Sequence, residues 1–185
     1  MSRYIVLVTG PSRSGKSEWA EELAAQVSDP VIYVATSQLE PTDLEWQARV
    51  ERHRDRRPKN WITQAVPFDL AAALDTAPPA HCLLVDSLGT WLTNCLDQPE
   101  DDWKKTEQIL LASLQSTSNT IILVAEETGW GVVPAYPLGR TFRDRLGYLT
   151  RQISAIADTV YLVTAGYALN LSQLGTPLKD TNGVA

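Results

Sequence analysis

The nine residues Thr9-Gly10-Pro11-Ser12-Arg13-Ser14-Gly15-Lys16-Ser17 bring together the groups that hold a triphosphate. Gly10 and Gly15 leave room for backbone N–H groups to close around phosphate oxygens, and a helix starting behind them adds partial positive charge. Lys16 can reach the β- and γ-phosphates, and Ser17 can offer its hydroxyl to a bound Mg²⁺. The plain alternative is a glycine- and serine-rich turn that matches G-x-x-x-x-G-K-S by accident. Context speaks against it, because the apolar run Tyr4-Ile5-Val6-Leu7-Val8 precedes the loop and a helical pattern opens at Glu18. Gly10, Pro11, Ser12, Arg13, Ser14, Gly15, Lys16 and Ser17 are therefore expected to bind a nucleoside triphosphate.

Asp86 closes a second apolar run, Cys82-Leu83-Leu84-Val85. A carboxylate at the tip of a strand near the phosphate loop can hold Mg²⁺ directly or through water. It can equally cap the helix that opens at Ser87 and Leu88. A third feature is a basic island, residues 49–59, with six Lys/Arg and two acids in a chain of net charge −6. Such a run is usually a solvated helix face. In an acidic nucleotide-binding chain, its arginine forks also suit phosphate oxygens and the charge that develops during transfer. His53 lies inside this island. Neighbouring cations disfavour the imidazolium, which leaves a neutral ring able to attack phosphorus and form a phosphoramidate; a surface histidine is the alternative. His81 is the only other histidine.

The elements that must position these residues are legible as short apolar runs at Tyr4–Val8, Val31–Ala35, Cys82–Val85, Ile121–Ala125 and Val160–Val163. None alternates strictly, as expected of strands covered on both faces. Helical patterns fall between them at Glu18–Ser28, Asp43–Arg54, Asp69–Asp75, Leu88–Leu96, Trp103–Ser116 and Gly139–Ala157. The alternation predicts an α/β three-layer fold with a mostly parallel sheet and ligands at the carboxyl ends of the strands. Thr76–Ala80 and acidic Asp97–Asp102 read as loops. One domain over residues 1–175 is expected, with 176–185 as a frayed tail.

Composition narrows the function. An acidic balance over 185 residues argues against nucleic acid as an obligatory partner, which would call for a basic surface. No run of some 18 apolar residues exists to span a membrane, and the first residues read as strand rather than a cleavable signal, so a cytoplasmic location is expected. Cys82 and Cys95 are too few and too far apart for a metal knuckle and read as buried free thiols.

Taken together, the motifs resemble one family. These are G-P-S-R-S-G-K-S, Tyr33-Val34-Ala35-Thr36-Ser37, and Arg49-Val50-x-x-His53-Arg54-x-x-Arg57-Pro58-x-x-Trp61. Further along come Leu84-Val85-Asp86-Ser87-Leu88-x-x-Trp91-Leu92-Thr93-Asn94, Glu127-x-Gly129-x-Gly131-x-Val133-Pro134, Arg140-x-Phe142-Arg143-Asp144 and Ala157-Asp158. The chain resembles adenosylcobinamide kinase/adenosylcobinamide-phosphate guanylyltransferase over nearly its whole length. The resemblance implies a P-loop (RecA-like) domain that assembles as a homotrimer. It also implies phosphorylation of adenosylcobinamide with ATP or GTP, then GMP transfer from GTP through a GMP-histidine at His53. Mg²⁺ would sit at Ser17 and Asp86. Nucleotide contacts would extend to Ala35, Thr36, Ser37, Arg54, Asp55, Arg56, Arg57 and Asp86. The chain departs from the family pattern at Ala65, Glu126 and Thr150, expected to lie in substrate-facing segments. The rival readings are a P-loop small-molecule kinase without guanylyl transfer and a RecA-like nucleotide-binding regulatory module.

Overall fold

In a computed structural model of the chain, the described residues are 3–38 and 57–178. The five apolar runs all become strands, and regular structure follows the order β1 (Tyr4–Gly10), α1 (Lys16–Gln26), β2 (Val31–Ala35), β3 (Ile62–Ala65), α2 (Leu70–Asp75), β4 (Cys82–Asp86), α3 (Leu88–Asn94), α4 (Glu100–Ser116), β5 (Thr120–Glu126), α5 (Pro137–Ile156), β6 (Thr159–Thr164), β7 (Tyr167–Asn170) and α6 (Leu171–Leu174). The seven strands form one sheet in the order β3-β2-β4-β5-β1-β6-β7. Every pairing is parallel except β6 with β7.

Side chains alternate across the strands, and both faces are buried, so the sheet has two cores. Ile5, Leu7, Ile32, Val34, Leu83, Val85, Ile121 and Leu123 pack with residues of α2, α3, α4 and α5. Val6, Val8, Tyr33, Cys82, Leu84, Ile122 and Val124 face the other way, against Ala20 and Ala24 of α1. Two small residues on α1 allow it to lie close to the sheet, directly behind the loop that ends β1. Cys82 and Cys95 are free and buried. Burial holds both thiols up, Cys82 to about 12.

Several elements differ from the sequence expectation for identifiable reasons. β3 is an exposed edge strand with no apolar run to announce it. β7 arises because Ala165 and Gly166 both take positive φ, 50° and 78°, which turns the chain tightly back on β6. Glu100–Asp102, expected in a loop, form the first turn of α4 behind Pro99, where three acids meet the positive end of the helix. α5 begins at Pro137, a residue suited to a first helical turn. The helix expected over Asp43–Arg54 lies outside the described residues. Among those described, no helix is long and apolar enough to cross a membrane.

Candidate active site

The phosphate loop sits where β1 ends and α1 begins. Gly10 is fixed by space: a Cβ there would lie 2.3 Å from Val163 O and 2.7 Å from Ser14 Oγ. Gly15 is fixed by conformation, with φ of 93° at the helix N-cap. Between them Ser14 N donates to Pro11 O at 3.3 Å and Arg13 takes a φ of 59°. No side chain caps α1, so its first N–H groups are available to an anion in front of the helix. Lys16 is 8% exposed and folds back, its Nζ 3.5 Å from Pro11 O. Ser12 and Arg13 are exposed on the outside of the loop.

Strand order decides what faces this loop. β5 lies between β1 and β4, so Asp86 is two strands away from Gly10. Gly10 pairs with Glu126, whereas Asp86 pairs with Val124. Two residues of rise, roughly 6–7 Å, therefore set the Glu126 position further along the sheet than Asp86. Ser17, on the first turn of α1, spans the gap, and its Oγ donates to Asp86 Oδ1 at 3.4 Å. Asp86 is not the helix cap. Ser87 caps α3, its Oγ accepting from Thr90 N at 3.3 Å.

A second bond holds the Asp86 carboxylate from the side. Tyr33 OH donates to Asp86 Oδ2 at 2.7 Å, and Arg57 Cζ lies 3.3 Å from the centre of the Tyr33 ring. Burial, the Asp86 charge and this hydrogen bond all keep Tyr33 protonated far above neutral pH. Tyr33 thus connects Arg57, the described end of the basic island, to the carboxylate beside the phosphate loop. Arg57 Nη1 also reaches Thr63 Oγ1 at 3.4 Å, which anchors it on β3. His53, Arg54, Asp55 and Arg56 lie outside the described residues.

Thr36, expected among the nucleotide contacts, has a structural role in the corner. It is 0% exposed, and its hydroxyl donates to Ser87 O and accepts from Ser87 N, both at 2.8 Å. Its contribution is to clamp the peptide that follows Asp86. Asn94 Nδ2 donates to Thr36 O and to Pro67 O, each at 2.8 Å, closing the same corner. Ala35 and Ser37 flank Thr36 and are half-buried at the ligand end of β2. His81 stands at the opposite end of the sheet, before the first residue of β4, with Nδ1 3.0 Å from Pro79 O. Five strand residues, roughly 16 Å, separate it from Asp86.

Two acids that were not among the expected nucleotide or metal ligands close it on the third side. Glu127 N donates to Gly10 O at 2.9 Å, and Thr9 Oγ1 donates to Glu127 Oε1 at 3.1 Å. Glu126 turns the other way. Its carboxylate accepts from Ser87 Oγ and, at 2.9 Å, from Gly89 N at the start of α3. A Cβ at Gly89 would meet that carboxylate at 2.1 Å. Burial raises the Glu126 pKa against the lowering effect of its Ser87 bond and of Lys16. The departure at Glu126 thus makes a bond to α3 rather than only facing a substrate. The signal for these acids was present: Glu126 ends its apolar run as Asp86 ends its own. Ala65 is exposed at the end of β3, level with Ala35 and hence with Asp86. Thr150 Oγ1 is buried on α5 without a hydrogen-bond partner among the described residues.

One hydroxyl, one neighbouring carboxylate and a phosphate cradle suit a hard divalent cation that takes its other oxygens from phosphates and water. Among the described residues no cluster of three His, Cys, Asp or Glu side chains could hold a metal unaided. The cation would arrive with its nucleotide.

Known proteins resemble the chain in sequence and in shape. Residues 6–171 match the family described as cobinamide kinase / cobinamide phosphate guanyltransferase. The bifunctional adenosylcobalamin biosynthesis protein CobP of Pseudomonas aeruginosa is 42% identical over 176 residues, 93% of this chain and 98% of that protein. CobU of Salmonella typhimurium, with the same description, is 36% identical over 183 residues, 90% of this chain and 99% of its own. Among solved structures, a type III secretion system ATPase matches with a TM-score of 0.55 at 14% identity, covering 92% of this chain and 53% of that one. A Pyrococcus horikoshii protein matches with a TM-score of 0.56 at 6% identity, over 91% and 85%. The last two likenesses speak for the fold alone.

Proposed function

The chain belongs to the cobinamide kinase / cobinamide phosphate guanyltransferase family, and from that premise we propose how its residues divide the two reactions. The enzyme phosphorylates the hydroxyl of adenosylcobinamide and then joins GMP to the new phosphate, a step in adenosylcobalamin biosynthesis. The observation that carries the residue assignment is the meeting of the phosphate loop with Asp86 at Ser17.

In the kinase step the loop amides and Lys16 hold the triphosphate of ATP or GTP. Ser17 and Asp86 would hold a Mg²⁺ ion, which would supply charge neutralisation during phosphoryl transfer. Lys16 must leave Pro11 O to reach the phosphates, a short movement for a side chain already inside the loop. The acceptor hydroxyl oxygen then bonds to the γ-phosphorus as the bridge to the β-phosphate breaks; the nucleoside diphosphate leaves and the hydroxyl proton is released to solvent.

In the guanylyl step a ring nitrogen of His53 attacks the α-phosphorus of GTP and pyrophosphate leaves. The acceptor phosphate next attacks the phosphorus, the P–N bond breaks, and the imidazole keeps the electron pair. Ala35 and Ser37, at the ligand end of β2, and Arg57 contact the nucleotide, with Thr36 holding the corner between the first two; Arg54, Asp55 and Arg56 are assigned nucleotide contacts by the family resemblance alone. His81, at the wrong end of the sheet, cannot substitute. The assembly implied by resemblance is a homotrimer, checked by light scattering at three times the chain mass.

His53→Ala is the test. The variant should still form cobinamide phosphate yet make no GDP-cobinamide and retain no label from α-labelled GTP. Retained GDP-cobinamide synthesis would refute His53 as nucleophile. A parent enzyme that phosphorylates but never takes up label would leave a plain small-molecule kinase.

A further inference from the structure

A cavity of about 350 Å³ opens between the tip of β5 and α5, beside the phosphate loop. Glu126 and Glu127 form one wall; Arg143, Asp144, Tyr148 and Arg151 of α5 line the rest. Residues 143, 147 and 151 recur at helical spacing, so one face of α5 looks into it. Gly147 borders open space there, since a Cβ on it would meet nothing within 4 Å. The cavity adjoins the phosphate loop, because Glu127 in its wall is bonded to both Thr9 and Gly10.

The charges on its walls are arranged unevenly. Glu126 is spent on Ser87 and Gly89, Glu127 is turned to Thr9, and Asp144 is exposed. Arg143 Nη1, by contrast, is buried and has no hydrogen-bond partner among the described residues. Arg143 is half-buried and lines the cavity with this donor uncommitted, so its guanidinium can turn to an anion that enters. A wall of carboxylate opposite a wall of guanidinium suits a guest that comes once as an alcohol and once as a phosphate. The alcohol donates to a carboxylate, and the phosphate accepts from an arginine fork. Cobinamide and its phosphate are that pair of guests. The cavity is too small for a corrin macrocycle, so only the side arm that carries the hydroxyl can enter it.

We propose that this cavity receives the acceptor arm in both reactions, and that Arg143 binds the arm's phosphate in the second. The inference rests on the two-step activity assigned above. Arg143 thereby separates the two acceptors: it adds affinity for cobinamide phosphate and little for cobinamide.

The test uses purified full-length parent, Arg143→Gln and Arg143→Lys in three assays. These are labelling of the enzyme by GTP alone, phosphorylation of cobinamide, and GMP transfer to added cobinamide phosphate. For Arg143→Gln, loss of a charge-assisted bond should raise the KM for cobinamide phosphate about 10- to 100-fold. Its KM for cobinamide and its labelling by GTP should stay near the parent's, and Arg143→Lys should recover part of the lost affinity. The lysine variant carries the test alone if the glutamine variant does not fold, with the same pattern expected in weaker form. An unchanged KM for cobinamide phosphate overturns the proposal, as do equal losses for both acceptors or loss of GTP labelling. If the parent shows neither labelling nor phosphorylation, the assigned activity itself has failed, which is distinct from a failure at Arg143.

Discussion

The phosphate loop and the carboxylate corner at the tips of β4 and β5 face the same space but are built on opposite principles. The loop is local. Its nine residues are contiguous, its shape follows from Gly10, Gly15 and one turn, and Lys16 reaches back only five residues to Pro11. The corner is assembled from afar. Ser17 and Tyr33 reach Asp86 across 69 and 53 residues, Ser87 reaches Glu126 across 39, and Thr9 reaches Glu127 across 118. A local motif can keep its shape on any similar sheet, whereas the corner exists only while strand order and register are correct.

The largest effect is expected within the local half. Lys16→Ala should slow both half-reactions by about 10²-fold or more, because each needs the triphosphate clamped. Circular dichroism and Tm should stay close to the parent's. Near-normal turnover with normal nucleotide affinity would dismiss the phosphate-loop assignment.

Asp86→Asn tests the assembled half. The amide keeps the shape but removes the charge a hard cation requires, so half-maximal activity should need on the order of 100-fold more Mg²⁺. Superimposable Mg²⁺ titrations would reduce Asp86 to a structural residue.

Tyr33→Phe probes how much the corner depends on its support. It deletes the bond to Asp86 Oδ2 and leaves a ring for Arg57 to stack on. The Mg²⁺ requirement should rise about tenfold, as for loss of an outer-shell partner. A changed Tm with an unchanged Mg²⁺ titration would mean that Tyr33 only fills the core.

The smallest effect separates fold from chemistry at Glu126. Burial raises its folded pKa above the unfolded carboxylate value, so its charged form is disfavoured in the native state. The penalty is therefore present above the raised pKa and vanishes once pH falls below the ordinary carboxylate range. Glu126→Gln keeps an acceptor for Gly89 N, and the Ser87 hydroxyl can rotate to accept from the amide. Its Tm should exceed the parent's by about 2–4 °C at neutral pH, and the two should converge near pH 4. A lower Tm for the variant at neutral pH would show that the ionised carboxylate stabilises the corner.

Much of this molecule was legible before folding. The five apolar runs became strands because they are short and mostly β-branched or aliphatic, as suits strands buried on both faces of a sheet. β3 escaped notice because an edge strand with one neighbour needs no apolar face, and β7 because its turn is Ala165-Gly166 rather than a familiar turn pair. At the site, Asp86 was legible as an acid ending an apolar run, but the same pattern fits a cap. Only the bond from Thr90 N to Ser87 Oγ assigns capping to its neighbour. Thr36 was expected at the nucleotide only through the family resemblance; its full burial against Ser87 is a tertiary fact that no residue spacing announces.

By itself, the sequence determined the phosphate loop, five of the seven strands and the family, since each depends on residues adjacent in the chain or on motifs kept in order. The tertiary structure alone decided which acids meet. Hydrogen bonds act over about 3 Å, and no spacing in the chain reveals that β5 inserts between β1 and β4. That insertion brings Glu127 to Thr9 and Glu126 to Ser87. With α5 packed alongside, it also leaves the cavity in which Arg143 waits for an acceptor.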